Sequence, residues 1–151
     1  DKNYKSYTWL DRGSDERQYC APGIDLPIAS IMRTKYGSYK EYHTSLDNLI
    51  RVVRPQGLST SYKLIQNVLL AIEKNFLPKS LILCEPMLSK RNLYPSINVK
   101  SKISKKVKLL TDVISLCDGK SDLISIAEIC KIPVWEIYEI ISLLISKKII
   151  K

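Results

Sequence analysis

Leu58, Tyr62, Ile65, Leu69, Ile72 and Phe76 follow one another at alternating steps of four and three residues. That spacing gathers side chains onto one face of an α-helix and predicts about five amphipathic turns. Ser59 or Thr60 stands where a cap would start the helix, and Pro78 ends it. Upstream, Tyr4 to Leu10 is rich in Tyr, Thr and Trp, and Leu26 to Met32 is short and mostly apolar. Both read as strands. Polar loops follow each of them, and Asp47 to Arg54 reads as a short helix stopped at Pro55. Strands alternating with helices imply an α/β arrangement, and two strands with two helices leave sheet edges unpaired. The fold class expected over residues 1–78 is therefore an incomplete, C-terminal portion of an α/β domain.

Residues 79–104 have no period and hold Pro86 and Pro95 around a Lys90-Arg91-Asn92-Leu93-Tyr94 stretch. They read as a linker or arm packed on the first unit. From residue 105 the pattern is helical. Val107, Leu110, Ile114 and Cys117 share a face, and Asp118-Gly119 stops that helix. Asp122 stands at the cap of a second helix, Leu123 to Cys130, and Pro133 at the start of a third with Ile137, Ile141 and Leu144 on its core face. Ile149-Ile150 reads as one small strand. Three helices and a trailing strand predict a winged helix-turn-helix over residues 105–151.

The chain has a net charge of +9, split as +6 over residues 1–100 and +3 over residues 101–151. An excess spread that evenly argues against a dedicated nucleic-acid stripe, and the dense run from Lys100 to Lys108 reads as a solvated linker. No apolar run is long enough to span a membrane, and no secretory leader pattern is present. The chain begins at Asp1 rather than Met, which reads as a fragment or a processed product. Cys20, Cys84, Cys117 and Cys130 have no zinc-finger spacing. Free thiols in a reducing cytoplasm are the expectation.

His43 is the only histidine, in a polar loop after a predicted strand, with Asp47 four residues on. An imidazole there can ligate a metal, while the carboxylate of Asp47 caps the next helix or orients the ring. The loop from Gly13 to Tyr19 gathers Ser14, Asp15, Glu16, Arg17 and Gln18.

Three stretches carry a resemblance: Gly13-Ser14-Asp15-Glu16-Arg17-Gln18-Tyr19-Cys20, Leu26-Pro27, and Tyr42-His43-Thr44-Ser45-Leu46-Asp47-Asn48-Leu49. Together they resemble the C-terminal part of the bacterial aminopeptidase-like zinc-peptidase family, related to the two-zinc exopeptidases and often encoded beside surface-polysaccharide biosynthesis genes. Residues 107–151 resemble its appended winged helix. The resemblance implies zinc as cofactor, His43 as a metal ligand, and Asp15, Glu16, Arg17, Tyr19 and Asp47 around the substrate pocket or behind the ligand. Arg17 would hold a carboxylate of a small peptide-like substrate and Glu16 an amine. Glu16 stands where the wider clan has histidine and Ser45 where it has proline. The other ligands and the general base would lie upstream, so the chain alone is expected to be inactive. A second reading is a winged-helix regulator that binds DNA. Residues 133–146 hold no Lys or Arg and two glutamates, so specific DNA binding is not expected. A third is a docking or homo-oligomerising module with Trp135 and Tyr138 as anchors.

Overall fold

The structure, a computed structural model, describes residues 3–93 and 102–151, with nothing stated of the side chains of 102–104. Tyr94, Pro95 and Lys100 lie outside the described residues. The chain divides into two compact units, Asp1–Ser61 and Tyr62–Lys151. Among the described residues the named elements are all helical. Helix α1 is Ser14–Tyr19, α2 Pro55–Glu73, α3 Lys102–Leu116, α4 Leu123–Cys130 and α5 Tyr138–Ser146.

The first unit corrects the α/β expectation. Among the described residues it contains no strand and no sheet. Residues 4–8 are unpaired and lead into a short 3₁₀ turn, Trp9–Asp11, which Thr8 opens by donating its backbone N–H and hydroxyl to Asp11 at 3.1 and 3.0 Å. Residues 26–32 form no strand, and their backbone bonds are turn-like, Leu26 N–H to Tyr19 O at 2.9 Å and Ile28 N–H to Leu26 O at 2.8 Å. A strand exists through its ladder, and no described residue of this unit supplies a facing strand. The β-branched and aromatic side chains that signalled strands are left in solvent, Ile31 at 59% exposed.

Asp47 to Arg54 is a series of turns rather than a helix. The Asn48 side-chain oxygen accepts the N–H groups of Ile50 and Arg51 at 3.0 and 3.1 Å, which offers the backbone an alternative to helical bonding. Helix α2 begins at Pro55, ahead of Ser59 and Thr60. Pro55 suits a first turn because its missing N–H would be unbonded there. Thr60 instead returns its hydroxyl to the Gln56 carbonyl at 3.0 Å. No residue of α2 is buried, and Leu58, Leu69 and Ile72 are about 60% exposed.

The second unit holds the hydrophobic core. Leu110, Val113, Ile114 and Cys117 of the α3 region meet Leu123, Ile126 and Ala127 of α4 and Ile140, Ile141 and Leu144 of α5. Helix α4 has the expected bounds, and Asp122 caps it by accepting the Ser125 N–H at 2.8 Å. Asn75 donates to the other oxygen of Asp122 at 2.9 Å, and these bonds, that of Asn75 first, hold the carboxyl down at about 2. Pro133 precedes a 3₁₀ turn, Val134–Glu136, so α5 starts at Tyr138, yet Ile137, Ile141 and Leu144 face the core as expected.

Residues 79–93 belong to this second unit. Leu88 and Leu93 join its core, and Arg91 donates to the Lys147 carbonyl at 3.1 Å. Ser80 and Ile150 form one antiparallel bridge and Lys79 and Asp118 another. The trailing Ile149-Ile150 segment thus finds its partner in residues that precede the first helix of the module. No helix of the described residues is long and apolar enough to cross a membrane.

Candidate functional site

The polar residues of the first unit converge on Tyr36. Gly13 is the residue before α1, and a Cβ there would come within 3.1 Å of the Tyr36 ring. A larger residue at position 13 would make the phenol shift by a few tenths of an ångström. The Tyr36 hydroxyl receives the Gly13 N–H and donates to Glu16 Oε1 at 3.0 Å. Glu16 is 8% exposed, yet its carboxyl is held below the ordinary value, first by its own backbone N–H and against the opposing effect of burial. Tyr36 is raised, chiefly by burial. A carboxylate and a protonated phenol therefore coexist at neutral pH.

His43 lies at the other end of the same aromatic group. Its ring stacks on Tyr42 with centroids 4.0 Å apart and planes 16° apart. Tyr42 lies 6.4 Å from Tyr36 and meets Tyr39 edge-on at 5.6 Å. Tyr39 donates to Asp47 Oδ2 at 3.1 Å, and burial, then that bond, raises the phenol. His43 is exposed and its backbone is left-handed, at φ 58°. That conformation costs a residue with a Cβ about 1 kcal/mol or more, and such residues cluster at functional sites.

Of the residues singled out from sequence, Glu16, Asp47 and His43 are joined through Tyr36, Tyr39 and Tyr42. Asp15, Arg17 and Tyr19 are exposed on α1. No group of three or more His, Cys, Asp or Glu side chains among the described residues is placed to hold a metal ion. The residues present do not by themselves fit a zinc centre. Sequence reading missed the tyrosines as site residues, although their spacing of three, at 36, 39 and 42, was visible. It also missed a cavity of about 790 Å³ that Tyr39 and Glu41 line together with Arg33, Arg51 and Arg54.

In the winged-helix part Trp135 is 55% exposed, whereas Tyr138 is half-buried against the core. The Tyr138 hydroxyl is enclosed with no hydrogen-bond partner among the described residues, and Lys74 Nζ lies 5.0 Å from the ring centroid. Tyr138 thus packs partly against this core, and Trp135 is the more exposed of the two.

Comparison with known proteins divides the chain just after α2, whereas the packing boundary falls within that helix, between Ser61 and Tyr62. Residues 1–75 match a family described as a domain of unknown function (DUF4910), and residues 77–151 match a winged helix-turn-helix family. Over 120 residues, 76% of this chain, the sequence is 42% identical to a Clostridium acetobutylicum protein named "Putative polysaccharide biosynthesis protein with aminopeptidase-like domain". The match spans 26% of that protein. The fold superposes on the crystal structure of a "putative peptidase" from Clostridium acetobutylicum with a TM-score of 0.79 at 34% identity, over 93% of this chain and 30% of that one. The chain carries a winged helix-turn-helix domain and is related to aminopeptidase-like proteins. It spans between a quarter and a third of the length of these relatives.

Proposed function

We propose that these residues form the C-terminal portion of a zinc-dependent aminopeptidase-like hydrolase, of the two-zinc exopeptidase clan, acting on a small peptide-like or amide substrate in surface-polysaccharide biosynthesis. The observation that carries this reading is the structural match to the "putative peptidase" over 93% of the chain. The left-handed His43 and the tyrosine-linked Glu16 and Asp47 support it. In this reading His43 is one metal ligand, and the others, with the general base, belong to the remainder of the domain. Asp47 holds Tyr39, which meets Tyr42 edge-on next to His43, and Asp15, Arg17 and Tyr19 face the substrate. Zinc, when bound, would activate water and polarise the scissile carbonyl. The exposed apolar stripe of α2 is a surface for that same remainder. Cytoplasmic residence accords with four free cysteines.

The test is a chimera in which this chain replaces the matching segment of the Clostridium relative. It is assayed on a panel of dipeptides and aminoacyl amides, with bound zinc measured in parallel. The expected result is hydrolysis, with zinc affinity and rate both lowered at least about tenfold by His43→Ala. A folded chimera that hydrolyses nothing, or a His43→Ala variant that loses neither, defeats the reading.

The winged helix serves protein contact in this proposal, including self-association, rather than base reading. Glu136 and Glu139 are exposed around the start of α5, where they would meet phosphates. Titration of the chain with a random duplex library at physiological salt is expected to enrich no sequence. Submicromolar binding of one sequence would restore the regulator.

A further inference from the structure

The cavity beside the tyrosine group has a chemical bias that the hydrolase reading does not use. The chain holds six arginines against eighteen lysines, yet three arginines and no lysine line this cavity. Arginine presents a planar fork of donors that matches the paired oxygens of a carboxylate or phosphate, whereas lysine presents a point charge. Among the described residues none of Arg33, Arg51 and Arg54 has a carboxylate within ion-pair distance. The ion pair present is Lys108 with Asp112, in the other unit. Glu41 is the one acidic side chain in the wall, so the lining carries a net charge of +2.

One of the three guanidiniums is already held in place. Arg33 Nη1 donates to the Gly57 carbonyl at 3.0 Å and to the Thr60 hydroxyl, tying residue 33 to the first turns of α2. Arg51 and Arg54 bracket Val52-Val53 immediately before that helix. Pro55 has no N–H, and Leu58 to Arg54 is the bond that opens the helix, so the Gln56 and Gly57 N–H groups precede the regular bonding and add to the positive end. A volume near 790 Å³ is of the size that admits a small molecule rather than a single ion.

From this we infer that the cavity between Arg33, Arg51 and Arg54 binds a small molecule through a phosphate or carboxylate group, with Glu41 taking a hydroxyl or ammonium of the same ligand. Arg33 orients the anionic group and Arg51 and Arg54 close on it. The assignment is independent of any metal at His43 and of hydrolysis.

The experiment titrates the 151-residue chain by calorimetry at low ionic strength with inorganic phosphate, pyrophosphate and citrate. Saturable binding of at least one is expected. Pyrophosphate binding more tightly than citrate would assign a phosphorylated ligand, and the reverse order a carboxylate. Arg51→Gln combined with Arg54→Gln is expected to weaken binding about tenfold or more, the scale of one charge-assisted pair. Lys147→Gln combined with Lys148→Gln removes the same charge from the other unit and should leave affinity within about twofold. Arg51→Lys preserves bulk and charge and so guards against a folding defect. It should still weaken binding, because the fork is lost. No saturable binding of any of the three anions overturns the inference. So does equal weakening by the arginine and lysine double variants, or an Arg51→Lys variant with unchanged affinity.

Discussion

Replacing Leu144 with alanine is expected to remove about half of the stability of the second unit. Leu144 is fully buried in the same hydrophobic cluster as Val113, Ile126 and Ile149, each also at 0% exposed. Truncating such a side chain costs its transfer free energy and leaves a void, together about 3 to 5 kcal/mol. A unit of this size has only about 5 to 10 kcal/mol in all. The neighbouring Leu143 is 38% exposed and makes the internal control. Leu143→Ala should cost less than about 1 kcal/mol. Urea unfolding followed by far-ultraviolet circular dichroism reads both. A Leu144→Ala midpoint within experimental error of Leu143→Ala would mean that α5 does not close the core.

That contrast also shows why the second unit was legible in the sequence. Its helices bury their apolar stripes against neighbours a few tens of residues away. The 3.6-residue period therefore marks Leu110, Ile114, Cys117, Ile137, Ile141 and Leu144 directly as core. Asp122 stands at the cap for an equally local reason, since its acceptor oxygen needs only the N–H of Ser125 three residues on. The pairing of Ser80 with Ile150 was not legible, because 70 residues separate the two and neither segment carries a strand pattern of useful length.

In the first unit the signals were of the kind that depends on partners. Leu26 to Met32 has the composition of a buried strand, but no described residue pairs with it, and an irregular segment with exposed side chains is the outcome. Asp47 to Arg54 has enough apolar residues for a helical turn, and one carboxamide, that of Asn48, captures the N–H groups a helix would use. The candidate site was half visible. His43, Asp47 and Glu16 stand out by type and spacing, whereas the phenol that ties Glu16 to Gly13 lies 23 residues from that glycine. The arginine cavity was hidden for the same reason. Arg51 and Arg54 look like the polar end of a segment until Arg33 is brought against the same helix start.

Native-state alkylation should separate the cysteines by at least about a hundredfold in rate. Cys117 is 2% exposed, its thiol donates to the Val113 carbonyl at 3.1 Å, and burial pushes it up to about 11 from an ordinary value of 9.0. The thiolate is the reacting species, so the shift alone lowers the reactive fraction of Cys117 about a hundredfold at pH 8, before any effect of access. Cys84 is exposed and meets the reagent directly. Iodoacetamide at pH 8, with peptide mass analysis over time, should modify Cys84 first and Cys117 last. Cys20 and Cys130 should fall between them, since the one is buried and the other half-buried. The same shift gives a pH dependence of definite sign. In the unfolded chain Cys117 ionises near 9, while in the fold it stays protonated until about 11. Its contribution is therefore fully present below pH 9 and is lost as pH rises from 9 to 11, by at most about 3 kcal/mol. A Cys117→Ser variant, whose hydroxyl does not ionise there, should flatten that alkaline decline. Modification of Cys117 at the rate of Cys84, in protein that keeps its helical dichroism, would show that the end of α3 is open to solvent and that the core boundary drawn at Cys117 is wrong.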